Sequence, residues 1–331
     1  MKHKLLAGLA LAAVGALALT GCSGGTDGGT GDAGGTDGAT SYSIGINQLA
    51  PHPALDAATE GFQAAFEDAG IDVDFDVQNA NGEQATALTI AQGFASSGVD
   101  LVLAVATPAA QATAQAVTDK PVLFTAVTDA VAAELVDSNE APGGNVTGTS
   151  DMAPIDEQLK LLKELVPDAE KVGIVYASGE VNSQVQVDAV EEAAPGLGLE
   201  IVTKTVTTAN DIQAAAEALG DVDAIYVPTD NMVVNGISSL IQVAETKQIP
   251  VIGAESGTVE GGAVATLGID YFELGYQTGE MAIKILTGGA DPATMPVEVS
   301  KEFTYVVNPA AAERMGVTIP AEILDKAEVV E

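Results

Sequence analysis

The sequence predicts an α/β protein of two doubly wound parallel-sheet lobes, joined by a hinge that the chain crosses more than once. Three observations carry this. From Tyr42 onward, short β-branched runs alternate with Ala-rich helical patterns, the signature of parallel βαβ units. The rhythm breaks over an irregular stretch, Asp137 to Asp151, and then restarts. The segments after Gly262 hold too few elements for a core of their own and must complete the two sheets already begun. A chain of 331 residues accommodates two such lobes.

In the first half the expected strands are Tyr42–Asn47, Asp72–Gln78, Leu101–Ala106 and Val122–Thr125, each a β-branched or aromatic run. Helices are expected between them near Ala54–Ala69, Glu83–Ser97 and Pro108–Thr118, where alanines repeat at helical spacing. The second half predicts helix Ile155–Leu165, strand Lys171–Tyr176, helix Asn182–Ala194, strand Glu200–Val206 and helix Ala209–Leu219. Strand Ala224–Val227, helix Met232–Thr246 and strand Val251–Ala254 continue it. Gly262–Thr266 reads as one more strand, Tyr271–Leu286 as an amphipathic helix and Val297–Val307 as a long extended run. The expected lobes are 42–150 plus 270–297, and 151–269 plus 298–331.

Residues 1–21 read as a secretory signal. Lys2, His3 and Lys4 precede an unbroken run of Leu, Ala, Val and Gly from Leu5 to Leu19, too short for a stable membrane span. The run ends at Leu19-Thr20-Gly21-Cys22, which resembles the lipobox of bacterial lipoproteins, and Cys22 is the only cysteine in the chain. Cys22 is therefore the expected lipidation site, carrying acyl chains such as palmitate and anchoring the protein in the membrane. Residues 22–41 join that anchor to the first strand by a flexible Gly/Thr/Asp linker with a reach of roughly 20–25 Å.

With 12 Lys and Arg against 47 Asp and Glu, the formal net charge is −35, which excludes a nucleic-acid partner. The leader contains two lysines and no acid, so this acidity belongs wholly to the exported part. One cysteine excludes a disulfide framework or a zinc site of paired thiolates, and two histidines leave little for other metals; no metal and no cofactor are expected. Neither G-x-x-x-x-G-K-[ST], G-x-S-x-G nor H-E-x-x-H occurs, and nothing activates a nucleophile, so no enzymatic activity is expected.

In open α/β sheets ligands lie outside the carboxyl ends of the strands. The loops there are rich in Asn, Asp, Ser, Thr and Gln, and none carries Lys or Arg; Arg314, the sole arginine, lies near the chain end. Such a lining suits a neutral or zwitterionic small molecule rather than an anion. The candidate site residues are Gln48, His52, Thr107, Thr128, Asp129, Ser150, Asp151, Glu180, Ser183, Asn231, Glu255, Asp270 and Tyr271. A ligand carboxylate would meet helix N-termini and hydroxyls at Thr107, Ser150 and Ser183, and an ammonium one of Asp129, Asp151, Glu255 or Asp270. Several of these residues serve equally well as helix caps: Thr107 before Pro108, Asn182-Ser183, Asp230-Asn231 and Asp270 before Tyr271. His52, between two prolines, fits the cleft rim, while Tyr176 and Tyr226 fit the core. The absence of Trp disfavours sugar stacking.

Taken in order, these segments resemble a known family. Gly45-Ile46-Asn47-Gln48 with His52-Pro53-Ala54-Leu55-Asp56, Ala106-Thr107-Pro108 with Gln111, and Thr125-Ala126-Val127-Thr128-Asp129 open the series. Asn145-Val146-Thr147-Gly148-Thr149-Ser150-Asp151, Glu180 with Asn182-Ser183, Pro228-Thr229-Asp230-Asn231, and Ile269-Asp270-Tyr271 with Gly275 complete it. Together, from Tyr42 to about Pro309, they are similar to the tryptophan/tyrosine-type substrate-binding lipoproteins of ABC importers. The sequence departs from that pattern at Ala130, where the family usually has proline, and at Glu134, where a small residue is common. The resemblance implies a type I periplasmic-binding-protein fold that closes by hinge motion on an aromatic or other apolar amino acid. It implies ABC permease and ATPase subunits as partners, a monomeric receptor, and a location on the outer face of the cytoplasmic membrane, or a periplasm-facing membrane in a Gram-negative cell. Sugar or nucleoside receptors of the same fold, and a sensory binding protein that presents its ligand to a membrane signalling partner, are the alternatives.

Overall fold

The structure, a computed structural model, describes residues 41–300 and 302–330; the expected signal peptide, Cys22 and most of the linker lie outside the described residues. In the first lobe the elements are β1 (Tyr42–Gln48), α1 (Pro53–Asp68), β2 (Val73–Asn79), α2 (Gln84–Ser96), β3 (Leu101–Val105), α3 (Thr107–Ala116), β4 (Val122–Val127) and β5 (Val146–Ser150). The second lobe follows with α4 (Ile155–Leu165), β6 (Lys171–Ala177), α5 (Val181–Ala193), β7 (Glu200–Val206), α6 (Ile212–Glu217) and β8 (Ala224–Val227). It continues through α7 (Asn231–Asn235), α8 (Ile237–Lys247), β9 (Val251–Gly253), α9 (Ser256–Glu260) and β10 (Ala265–Gly268). Last come α10 (Tyr271–Gly288), β11 (Glu298–Val299), β12 (Thr304–Val307), α11 (Pro309–Arg314), α12 (Ala321–Leu324) and β13 (Ala327–Val329).

Two sheets result, ordered β11-β5-β4-β3-β1-β2 and β13-β12-β10-β9-β8-β6-β7. Every pairing is parallel except β10 with β12. Leaving out the late strands, both lobes repeat one doubly wound order, in which the second strand lies outside the first and the third begins the return. That order places a switch point between β1 and β3 in one lobe and between β6 and β8 in the other. Side chains alternate across the first sheet as the pleat requires. Leu101, Leu103 and Val105 face the α1/α10 layer, whereas Val102 and Ala104 pack with Phe94 of α2 on the other side. The second lobe has one continuous core, in which Tyr226 is fully buried and donates its hydroxyl to Gln158 at 2.6 Å.

The chain crosses between lobes three times: after β5, between β10 and α10, and between β11 and β12. Helix α10 belongs to the first lobe, with Leu274, Met281, Ala282 and Ile285 in its core. It crosses α1 closely enough that a Cβ on Gly275 would stand 1.9 Å from the Ala58 carbonyl oxygen, and one on Gly61 1.9 Å from that of Phe272. Glycine is required at both contacts.

Several expectations shift. The stretch Asp137–Asp151 is not irregular throughout, since β5 lies within it between β4 and β11. The expected helix Met232–Thr246 is two helices broken at Gly236, where a Cβ would come within 2.6 Å of the Ile212 side chain. The run Val297–Val307 divides between the sheets, so the first lobe reaches Val299. The strand expected at Gly262–Thr266 starts later, at Ala265, because Gly262 turns with φ +111°.

Candidate functional site

Both switch points open onto one small cavity between the lobes. From the first lobe it is lined by His52, Ala54 and Leu55 after β1 and by Ala126 and Thr128 at the end of β4. From the second come Asn182, Thr229, Asp230, Asn231, Val234 and Glu255. Asp151 and Tyr271, at two of the three crossovers, complete it. Ala126 is brought inward by a register shift in β4 between Phe124 and Val127, and it takes a left-handed φ of 55°.

The lobes are bound to each other across this cavity by a directed chain of hydrogen bonds. The Gln186 amide Nε2 donates to Thr229 Oγ1, whose hydroxyl must then donate to Thr128 Oγ1 at 3.3 Å. Thr128 donates in turn to Asp151 Oδ1 at 3.0 Å, and the Tyr271 hydroxyl donates to Asp151 Oδ2 at 2.8 Å. Asp151 thus gathers both lobes and two crossovers on one buried carboxylate.

Three carboxylates line the cavity and no Lys or Arg does. Glu255 caps α9, accepting from Gly257 N at 2.8 Å on Oε2, while its buried Oε1 has no hydrogen-bond partner among the described residues. Burial drives Glu255 up to about 7, with the charges of Glu260 and Asp151 adding to the rise. Asp151 is likewise raised by burial, and Tyr271 is raised by burial and the Asp151 charge. The site is electrically complementary to a cation.

In the second lobe Glu180 and Asp230 both cap α7. Glu180 stands at the N-cap of α5 but serves α7, accepting from Asn231 N at 3.1 Å and Met232 N at 3.0 Å. Asp230 caps its own helix through Val233 N at 2.7 Å and also accepts from Ser183 Oγ at 2.7 Å and Ala177 N at 2.5 Å. Burial and the Asp230 charge raise Glu180 to about 7. These two carboxylates consume the first-turn N–H groups of α7, so that helix end has none left for a ligand anion. Helix α1 differs: His52 is its N-cap yet makes no side-chain cap, and its first-turn residues Ala54 and Leu55 line the cavity. His52 itself is held neutral, its pKa lowered to about 4 by burial against a smaller opposing effect of Asp56.

Six candidate residues from the sequence therefore gather at the cavity: His52, Thr128, Asp151, Asn231, Glu255 and Tyr271. The other seven do not line it. Gln48 is used within the first lobe, bonding Asp56 and Thr59. Thr107 is not the N-cap but the first residue of α3, after Ala106. Asp129 caps the following turn through Val131 N and Ala132 N. Ser150 donates to the Thr128 carbonyl, Glu180 caps α7 and Ser183 donates to Asp230. Asp270 is solvent-exposed and caps α10 through Glu273 N at 3.1 Å. Sequence reasoning missed Asn182, Thr229 and Asp230 as lining residues, although their place in strand-end loops was the signal that found their neighbours.

Residues 43–331 match the family model described as ABC transporter substrate binding protein. A tyrosine-binding protein of Clostridioides difficile is 42% identical over 93% of this chain and 91% of its own. The crystal structure of an ABC domain in complex with L-Trp from Streptococcus pneumonia is 36% identical, covers 88% of this chain and all of its own, and superposes with a TM-score of 0.85. A ligand-free, open substrate-binding protein with adhesive properties from Clostridium difficile is nearer in sequence, at 44% identity over 88% of this chain and 99% of its own, yet further in shape, with a TM-score of 0.69. Proteins of this kind bind solutes on the extracytoplasmic side of the membrane. By the match over nearly all of its described length, this chain belongs to the family of ABC transporter substrate-binding proteins.

Proposed function

We propose that this protein captures a zwitterionic amino acid with an aromatic side chain and delivers it to an ABC permease and its ATPase, from a lipid anchor on Cys22. The observation that carries the reading is the cavity's charge pattern: buried carboxylates without a balancing cation, one of them with an unpartnered oxygen. The ligand ammonium would bond Glu255 Oε1 beside Asp151, and its carboxylate would lie at the N-terminus of α1 against Ala54 and Leu55. Leu55 and Val234 supply apolar wall for the ring. Closure would be coupled to capture, because the Thr229–Thr128–Asp151 chain is complete only when the lobes meet. The tyrosine-binding and L-Trp-bound relatives support the amino-acid class. The domain would act as a monomer held off the membrane by its linker.

The test is a thermal-shift and calorimetric screen of purified protein against L-tyrosine, L-tryptophan, other amino acids, sugars and nucleosides. A true ligand at a hundred times its Kd stabilises by about 2.7 kcal/mol. An aromatic amino acid giving the largest shift is the expected result. A shift with sugars or nucleosides alone would overturn it.

A further inference from the structure

Resting on the amino-acid reading above, we propose that Asn182 is a specificity-determining residue: its side-chain carbonyl accepts a hydrogen bond from the far end of the ligand's side chain, so preferred ligands carry an O–H or N–H on the ring.

Asn182 is 2% exposed and lines the cavity, and its Oδ1 is buried with no hydrogen-bond partner among the described residues. Which end of the amide faces the cavity is fixed by what holds the other end. Nδ2 donates to the Thr229 carbonyl at 2.9 Å and to Glu180 Oε2 at 3.0 Å. The Thr229 carbonyl can only accept, so the amide cannot flip without setting oxygen against oxygen. Glu180, which does not line the cavity, thereby acts as a positioning residue for Asn182.

Among the described residues the cavity therefore presents two unsatisfied oxygen acceptors, Glu255 Oε1 and Asn182 Oδ1, together with His52 Nδ1, which is also buried without a partner. Glu255 and Asn182 follow β9 and β6, which are separated by β8. The strands they follow lie two strand spacings, roughly 10 Å, apart. With the ligand ammonium held on Glu255 Oε1, satisfying Asn182 Oδ1 as well takes a second donor elsewhere on the ligand. A phenol O–H or an indole N–H meets this requirement, and a plain phenyl ring does not. A phenyl ring would leave Asn182 Oδ1 buried and unpaired, a loss corresponding to roughly 10- to 100-fold in affinity.

Calorimetric titration with L-tyrosine, L-tryptophan and L-phenylalanine tests this on the wild-type protein and on Asn182→Ala and Asn182→Ser. The wild type is expected to bind the tighter of tyrosine and tryptophan roughly 10- to 100-fold more strongly than phenylalanine. Asn182→Ala is expected to shrink that ratio below about 3-fold by weakening the donor-bearing ligands while leaving phenylalanine unchanged, with Asn182→Ser recovering part of it. Equal wild-type binding of phenylalanine overturns the inference and leaves the amino-acid reading standing. An equal loss for all three ligands in Asn182→Ala also overturns it, because that is what a purely structural role produces. If no amino acid binds the wild type, the reading itself fails and takes this inference with it.

Discussion

Replacing Glu255 by glutamine separates a ligand-binding carboxylate from a structural cap, because the two roles move two observables in different directions. Oε2 accepts from Gly257 N at 2.8 Å, and a glutamine carbonyl retains that bond and with it the start of α9. What the substitution removes is the charge behind the unpartnered Oε1. Stripping one partner from a buried charge pair costs about 2–5 kcal/mol, so affinity for an amino acid should fall by roughly 30-fold to a few thousand-fold. Stability without ligand should behave differently. Burial lifts Glu255 from 4.5 to about 7, so ionising it in the folded protein costs on the order of 3 kcal/mol, which the neutral amide does not incur. Against that stands about 1–3 kcal/mol for an amide Nε2 left without an acceptor. At pH 8 the ligand-free variant should therefore melt at the wild-type temperature or somewhat above it. Titration calorimetry with the best amino acid, together with differential scanning calorimetry of the ligand-free protein, provides both measurements. Affinity within 3-fold of wild type would refute the ammonium assignment. A fall of several degrees in the ligand-free melting point would show that Glu255 is retained for the fold.

Glu180 and Glu255 both have folded-state pKa values raised from 4.5 to about 7, so their contribution to stability is full below about 4.5 and is lost as pH rises through about 7. His52, lowered to about 4, works the other way between about 4 and 6.5, but two carboxylates outweigh one imidazole, so the ligand-free melting temperature should still fall across that window, and a rising profile would contradict the burial assigned to them. Thr229→Val removes the bond that joins the lobes at Thr128 and leaves the buried Gln186 amide without its acceptor, so ligand affinity should drop roughly 5-fold and the ligand-free protein should lose about 1–3 kcal/mol of stability; an unchanged Kd would exclude a role in closure. Gly275→Ala forces a methyl to within 1.9 Å of the Ala58 carbonyl and should destabilise by about 1–3 kcal/mol or more, and an unaltered melting curve would contradict the α1–α10 contact. Cys22→Ser should move the protein from the membrane fraction to the soluble exported fraction, whereas continued membrane retention would count against lipidation.

How far the sequence could be read depended on whether the determining interactions are local. Ile155–Leu165, Glu200–Val206 and Ala224–Val227 have the bounds expected of them, since each is a continuous periodic or β-branched run whose ends are marked by its own neighbours. Val146–Ser150 reads as irregular in sequence because its strand character comes from pairing with β4 and β11, and its own composition gives little sign of it. The site divides along the same line. The doubly wound pattern points to strand-end loops, and the cavity is indeed built from them. Within a loop, though, a carboxylate beside a helix start looks the same whether it caps that helix, caps another, or faces a ligand. Asp270 does the first and Glu180 the second, while Glu255 divides its two oxygens between cap and cavity. The deciding partner of Glu180 is α7, some fifty positions along the chain, and only the packing of α5 beside α7 brings the two together. Once Glu180 is occupied there, it is Asn182 beside it whose oxygen is left for the cavity. The oxygen left facing the cavity is thus chosen by a cap made elsewhere.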